Sequence, residues 1–424
     1  MIKLVATRQL EPGMFVHDFN HEWRDPCCQD KDPNAFRGQK MLETEAQVMA
    51  IIAHGIQELY IDTERGRDVQ DAPTAKEVEA SLERQMMELG DDDDEYDDAP
   101  SQEVTFDQEI NKASEIKHQA RAIVGDVLGD VRLGKQVEVG AVKDVVRNMT
   151  ESMFRNQDAM LSLSLLKQKD DYTFLHSVNV GVFLMSFCRG LGYSEEEVVD
   201  VGVGGLLHDV GKMRTPPNIL NKPGRLTDEE FLIMKNHVVY SRKILEKSPG
   251  ISEISMLVAS QHHERYDGSG YPEALKGDQI NLFGQMAAIV DVYDAITSDR
   301  CYHKGNPPYV ALKRMLEWSK FHFNSELYQS FIQVVGIYPI GSLVRLKNNL
   351  LGVVTRPNKE SLLHPVIKVV VDAKKKKKLV PKDVDLMSYK GKEAGDGFRI
   401  LRHENPAQWG VDPVKFMPDP KLFK

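Results

Sequence analysis

Cysteine is scarce. Four stand in 424 residues, Cys27, Cys28, Cys188 and Cys301. The first two are neighbours, where a bridge would be strained, so no disulfide framework is expected and the count suits a reducing compartment. Long apolar runs are missing too. No uninterrupted stretch approaches the ~20 residues that span a bilayer, so no membrane span is expected. Met1-Ile2-Lys3-Leu4-Val5 lacks the apolar core of a secretion signal and reads as a strand, which points to a cytoplasmic chain. Positive charge is not in excess. Lysine and arginine number 54 against 64 acids, net −10, which argues against duplex DNA as a general partner. A small anionic ligand can still be held by local positive charge. No Ser-His-Asp arrangement for a protein nucleophile is visible.

The length allows two or three domains. Residues 1–70 read as a small α/β regulatory or docking domain. Lys3 to Leu10 alternates, Pro12-Gly13 turns, Met14 to His17 is strand-like, and 43–55 is helical with Leu42, Ala46, Met49 and Ala53 on one face. Cys27-Cys28 with His21 and Asp25 lack metal-ligand spacing and read as a loop. Residues 71–103 read as an acidic disordered linker. Asp91 to Asp98 holds seven acids, a block that repels itself, and without it the chain would be near −3.

Residues 104–338 read as a helical catalytic domain. Two long helices come first, with Gly134 to Gly140 between them, and they can pack on the bundle or on a second copy in a homodimer. Helical runs follow near 173–190, 195–207, 227–247, 251–263, 281–299, 308–319 and 324–335, with a loop from Pro216 to Gly224. Residues 339–424 read as a small β-rich subdomain and tail. Lys374 to Lys378, five lysines between two apolar strands, read as a solvated hairpin turn, with binding to nucleic acid or an anionic surface as the alternative.

Within the helical part, histidine and aspartate recur in a pattern. His208-Asp209 ends an apolar helical run and precedes Gly211 and Lys212. His176 lies upstream, and His237, the pair His262-His263 and Asp291 lie downstream. Asp291 interrupts the apolar run Ala287 to Val292, where a charge rarely stays without a partner. Five imidazoles and two carboxylates, mostly on helices, can converge in a bundle. Such a nitrogen-and-oxygen donor set suits iron, manganese, cobalt, nickel or zinc better than calcium.

Three stretches carry a resemblance. They are His208-Asp209-x-Gly211-Lys212, then His262-His263-Glu264-Arg265-Tyr266-Asp267-Gly268-Ser269-Gly270-Tyr271-Pro272, then Asp291-x-Tyr293-Asp294-Ala295-x-Thr297-Ser298-x-Arg300. In order and spacing they resemble the HD-GYP family of the HD superfamily of metal-dependent phosphohydrolases. The resemblance implies a mainly α fold built on an HD-type helical bundle, and it implies hydrolysis of the bacterial messenger cyclic di-GMP to pGpG or GMP. In that family the loop 268–272 is linked to docking of diguanylate cyclase (GGDEF) domains. Some relatives carry a Glu four residues before the first His that helps hold a third ion. Tyr172 stands there in this chain with Asp171 beside it, so two divalent ions are expected, with iron or manganese foremost.

One assignment satisfies the ligand arithmetic. His176, His208 and Asp291 bind the first ion, His237, His262 and His263 bind the second, and Asp209 bridges both. Ions about 3.5–4 Å apart can activate a bridging hydroxide for in-line attack at phosphorus. Lys212, one turn beyond His208, can neutralise the phosphate or assist the leaving oxygen. Arg300 and, more weakly, Arg265 are candidates to clamp a second phosphate or a guanine. Asp294 and Thr297 are expected to orient ligands by hydrogen bonds, and Tyr271 to be exposed. Two other readings share this constellation: a cyclic-dinucleotide sensor with little turnover, and a hydrolase of another cyclic dinucleotide.

Overall fold

A computed structural model describes residues 1–20, 39–53, 55–91, 104–166, 172–222, 224, 226–299, 305–358, 360–417 and 419–423. Cys27-Cys28, most of the acidic block, Asp171 and Arg300 lie outside the described residues. The chain divides into two compact units, Met1–Gln85 with Thr215–Asn236, and Met86–Arg214 with His237–Lys424.

In the first unit, β1 (Ile2–Ala6), β2 (Phe15–Asp18), β3 (Lys40–Met41) and β4 (Glu58–Asp62) form an antiparallel sheet in the order β1-β4-β2-β3. Helix α1 (Glu45–Ala53) contributes Val48 and Ile51 to a core with Val5, Val16, Leu42, Leu59 and Ile61. The face that α1 buries differs from the one expected through Ala46, Met49 and Ala53. Met49 is 62% exposed, because the helix docks through residues one position earlier and two later.

Helix α2 (Ala75–Asp91) occupies a stretch expected to be a disordered linker. Its start is capped reciprocally. The Glu77 carboxylate accepts from the Thr74 amide and hydroxyl at 2.8 and 2.9 Å, and Thr74 Oγ1 accepts from Glu77 N. Val78, Leu82 and Met86 then recur every fourth residue and are buried.

The second unit opens with α3 (Phe106–Arg132) and α4 (Val139–Leu165). Helix α4 breaks at Asn156, which is extended at φ −159°. Asn156 Nδ2 donates to the Val104 carbonyl, and its Oδ1 accepts from Ala159 N and caps the second segment. The bundle continues with α5 (Tyr172–Gly190) and α6 (Glu195–Leu207). Helix α7 (Pro217–Leu220), where a loop was expected, belongs to the first unit, and α8 (Asp228–Leu245) enters the second from His237 onward. The bundle closes with α9 (Glu253–Gln261), α10 (Leu282–Thr297), α11 (Pro308–Trp318) and α12 (Ser325–Val335). Phe183, Tyr293 and Phe331 lock α5, α10 and α12 by edge contacts at 5.3 Å.

Helix α6 is the hub. Ser194 and Glu197 form a capping box at its start, and three glutamates complement the helix dipole there. Beyond them it is buried on every side. Glycines make this crowding possible. A Cβ added at Gly205 would sit 2.7 Å from Gly181 Cα on α5, and one at Gly204 would sit 2.8 Å from Val258 Cβ on α9.

The chain ends in an antiparallel sheet of β5 (Leu343–Leu346), β6 (Leu350–Arg356), β7 (Val366–Asp372), β8 (Lys377–Asp385) and β9 (Ile400–Glu404), in the order β8-β7-β6-β5-β9. Among the described residues, no helix is long and apolar enough to cross a membrane.

The packing around α6 generates a test with two signs. Gly205→Ala should destabilise the protein, because overpacking costs about 1–3 kcal/mol against a helix-propensity gain of about 1. Gly129→Ala in α3, where a Cβ meets nothing within 4 Å, should stabilise by about 0.4–1 kcal/mol. Urea unfolding of both variants checks the two directions together.

Candidate metal centre

The site forms where α6 stops. His208 is the C-cap of α6 and His262 the C-cap of α9. Both use one device: Nδ1 bonds the carbonyl three residues back, Gly205 at 2.8 Å and Ala259 at 3.1 Å. With Nδ1 donating to a carbonyl, the lone pair sits on Nε2 and faces inward. His176 on α5 is held the same way by a side chain, its Nδ1 lying 2.7 Å from Asp294 Oδ2. Asp294 was expected to orient a ligand by a hydrogen bond, and His176 is the imidazole its carboxylate contacts. The Thr297 hydroxyl donates to its own helix, to the Tyr293 carbonyl at 2.6 Å.

After His208 the chain tightens into a 3-10 turn, Val210–Arg214. A Cβ at Gly211 would collide with the His237 carbonyl and with Ser241 on α8, so glycine lets α8 come close enough to present His237. Ser241 pins the turn. Its hydroxyl donates to the His208 carbonyl at 2.7 Å and accepts from Gly211 N at 2.9 Å. Ser241 was missed from the sequence. Its only signal there is its place one helical turn after His237.

Asp209 divides its oxygens between two groups of imidazoles. Its Oδ2 lies 3.1 Å from His208 Nε2 and 3.6 Å from His176 Nε2. Its Oδ1 lies 3.2 Å from His237 Nε2 and 3.9 Å from His262 Nε2. Asp291 Oδ1 approaches His176 Nε2 at 3.1 Å, and its Oδ2 lies 3.7 Å from His263 Nδ1. The donor atoms of His176, His208 and Asp291 lie within 4.8 Å of one another, and so do those of His237, His262 and His263.

Lys212 Nζ sits 2.6 Å from Asp209 Oδ2 and is a quarter exposed. Arg265 turns along its own loop, with Nη1 3.4 Å from Ser269 Oγ. The side chain of Tyr172 lies outside the described residues, as Arg300 and Asp171 do, so the expected departure at the third-ion position has no structural counterpart here.

The loop after His263 is tied to the site. Glu264 is buried, and its carboxylate accepts from Glu273 N at 2.8 Å and Leu275 N at 3.0 Å. Tyr271 N donates to the His263 carbonyl, and the Tyr271 ring stacks on His263 at 4.7 Å. Tyr271 was expected to be exposed. It is half-buried, because the Glu264 clamp folds the loop back over His263.

Except at His176, the protonation states suit a cation. Burial opposes ionisation of Asp209, but the charges of His208 and Lys212 hold its carboxyl well below the usual range. Asp291 is lowered likewise, burial being overcome chiefly by the hydrogen bond from His176. Burial and the neighbouring imidazoles push His262 down to about 3 and His263 well below its ordinary value, so both are neutral. Burial also opposes charge on His176, yet Asp291 and Asp294 raise it to about 9. In addition, His208 Nε2, His262 Nε2 and Asp209 Oδ1 are buried without a hydrogen-bond partner. Such atoms are costly unless a cation completes them. The residues present fit divalent transition-metal ions.

Residues 159–327 match the HD domain family, and residues 2–142 match a domain of unknown function (DUF3391). The chain is 36% identical over 409 residues to cyclic di-GMP phosphodiesterase PA4108 of Pseudomonas aeruginosa, covering 96% of this chain and 94% of that protein. This chain belongs to the HD-GYP family. It is, in that family's terms, a metal-dependent phosphodiesterase. A cyclic di-GMP phosphodiesterase of Thermotoga maritima is 36% identical over 40% of this HD-GYP chain and 46% of its own length. A 3'3'-cGAMP-specific phosphodiesterase of Vibrio cholerae is 40% identical over 34% of this chain and 33% of its own. Among solved structures, the HDG"Y"P protein Bd1817 of Bdellovibrio bacteriovorus aligns over 78% of this chain and 98% of its own, with TM-score 0.45 and 16% identity.

The donor set predicts a thermal shift. Manganese added to metal-stripped protein at about a hundred times its dissociation constant should stabilise the fold by about 2.7 kcal/mol. That raises the melting midpoint by on the order of 5 °C. Asp209→Ala and His262→Ala should respond far less while keeping the helical spectrum, and equal shifts in all three proteins would contradict the assignment.

Proposed function

We propose that this chain hydrolyses cyclic di-GMP, with His176, His208 and Asp291 holding one divalent ion, His237, His262 and His263 holding a second, and Asp209 joining them. The observation that carries the proposal is the division of the Asp209 oxygens, one toward each group of donors. Iron or manganese suits this mix of nitrogen and oxygen donors. The ions would supply a water of lowered pKa and neutralise charge on a phosphate. No side chain of the site is needed as the nucleophile.

The protein's own groups set the geometry. Asp294, and the carbonyls of Gly205 and Ala259, fix the tautomers of three imidazoles, so their donor atoms need no reorganisation during turnover. Lys212 stands at the edge of the donor groups with its ammonium on Asp209 and a quarter of its side chain exposed. A phosphate arriving there meets that ammonium, which can counter the charge that builds on the leaving oxygen.

Cyclic di-GMP is favoured as substrate because PA4108, the relative matched nearly end to end, carries that name. Relatives named for 3'3'-cGAMP match about a third of this chain, and metal donors read phosphate and not base, so cGAMP is the comparison substrate. Arg265 and Arg300 are proposed as substrate contacts. The loop Gly268–Pro272 is proposed as the docking surface for GGDEF domains, with Ser269 exposed on it. The setting proposed is the cytoplasm.

Turnover separates an enzyme from a sensor. Lys212→Ala should lower the rate of cyclic di-GMP hydrolysis by ~100–1,000-fold, with metal content and ligand affinity changed only modestly. Chromatography of products from manganese- or iron-loaded protein should show pGpG or GMP. Wild type that is metal-replete and binds the messenger without releasing product would establish the sensor instead, and faster cleavage of cGAMP would reassign the substrate.

A further inference from the structure

We propose that the β7–β8 hairpin is a second functional surface, one that docks the chain on an anionic lipid bilayer. Strand β8 is the open edge of the C-terminal sheet and is exposed along most of its length. The turn before it and its first residues hold five consecutive lysines, Lys374 to Lys378, all exposed at their backbone turn or strand positions. Residues 372–392 carry eight lysines, three aspartates and no arginine, a net +5 in a chain whose net charge is −10. Few of these charges are neutralised within the protein. Asp372 reaches Lys375 at 3.8 Å, and Asp383 pairs with Lys368 on β7 at 3.4 Å. Among the described residues, Lys374, Lys376 and Lys377 form no ion pair.

An apolar residue stands among these lysines. Val380 is 90% exposed, the most exposed large hydrophobic of the described chain. Val380 lies between Lys378 and Lys382 in sequence, where the pairing of β8 with β7 shifts register. A valine flanked by ammonium groups matches the boundary between headgroups and acyl chains, where the stems of lysine also lie along apolar surface.

Other occupants fit less well. Pro381, in the middle of the open edge, has no amide N–H and weakens pairing with an added strand. Residues 373–382 contain no aromatic ring on which bases could stack. Lysines act as flexible point charges and suit a diffuse field of headgroup phosphates more than bidentate recognition of one group. The surface does not depend on the metal centre or on the substrate proposed for it.

The experiment is flotation of the full chain with vesicles of phosphatidylcholine, with and without phosphatidylglycerol. Wild type should float with the anionic vesicles only and be released by salt of about 0.5 M. A lysine near an anionic leaflet strengthens binding roughly fivefold, so the combined variant Lys374→Gln, Lys375→Gln, Lys376→Gln, Lys377→Gln and Lys378→Gln should bind at least ~100-fold more weakly. Its helical spectrum and phosphodiesterase rate should match wild type. The same five positions changed to arginine should keep the binding, which separates loss of charge from loss of fold. Val380→Ser should weaken it by a smaller factor. Failure of wild type to float with anionic vesicles, undiminished flotation of the glutamine variant, or tighter binding to an RNA oligonucleotide or a glutamate-rich peptide than to the vesicles would each overturn the proposal.

Discussion

The buried Asp209 carboxylate sets the terms for the structure around it. A charge taken out of water needs opposite charge and donors close at hand. Asp209 finds imidazoles on both of its oxygens and the Lys212 ammonium on one of them. Those partners come from α5, α6, α8 and α9, so the requirement reaches through the whole bundle. It also explains why atoms such as His208 Nε2 and His262 Nε2 are buried with no hydrogen bond. They are arranged for a cation and not for one another.

Bringing four helices to one carboxylate is a problem of distance. Side chains hold packed helices apart by 8–10 Å, and imidazoles cannot converge if every contact is that wide. Glycine removes the obstacle at selected crossings. Gly205 meets Gly181 directly, Gly204 receives Val258 and Ser255, and Gly211 lies against the backbone of α8. The same glycines would weaken an isolated helix, so α6 is stable chiefly because it is surrounded.

A further layer keeps the donors aimed. Asp294, Ser241 and the carbonyls at the ends of α6 and α9 hold rings and turns in place, and Glu264 folds the following loop so that Tyr271 covers His263. The loop proposed for partner docking is therefore in direct contact with an imidazole of the proposed metal site. The lysine hairpin on the C-terminal sheet lies apart from this logic. Its charges face solvent and leave the bundle's internal electrostatics untouched.

Much of this was legible in the residues alone. The helical periods of the bundle, the small sheets at either end and the lysine turn all appear close to where local patterning puts them, because periodicity and turn chemistry are local properties. The seven residues proposed as donors could be collected from spacing and from one charge in an apolar run, and their donor atoms cluster in the structure. Where local signals competed, the reading went astray. The acids after Asp91 obscured the capped, amphipathic α2, and the periodicity of α1 was assigned to Met49 when Val48 and Ile51 face the core. The break at Asn156, the hydroxyl of Ser241 and the fold of Tyr271 onto His263 left no trace in sequence. Which Asp209 oxygen faces which imidazoles was likewise decided only by the tertiary structure. These features depend on how closely helices approach and on which backbone groups then need partners, quantities that no single segment contains.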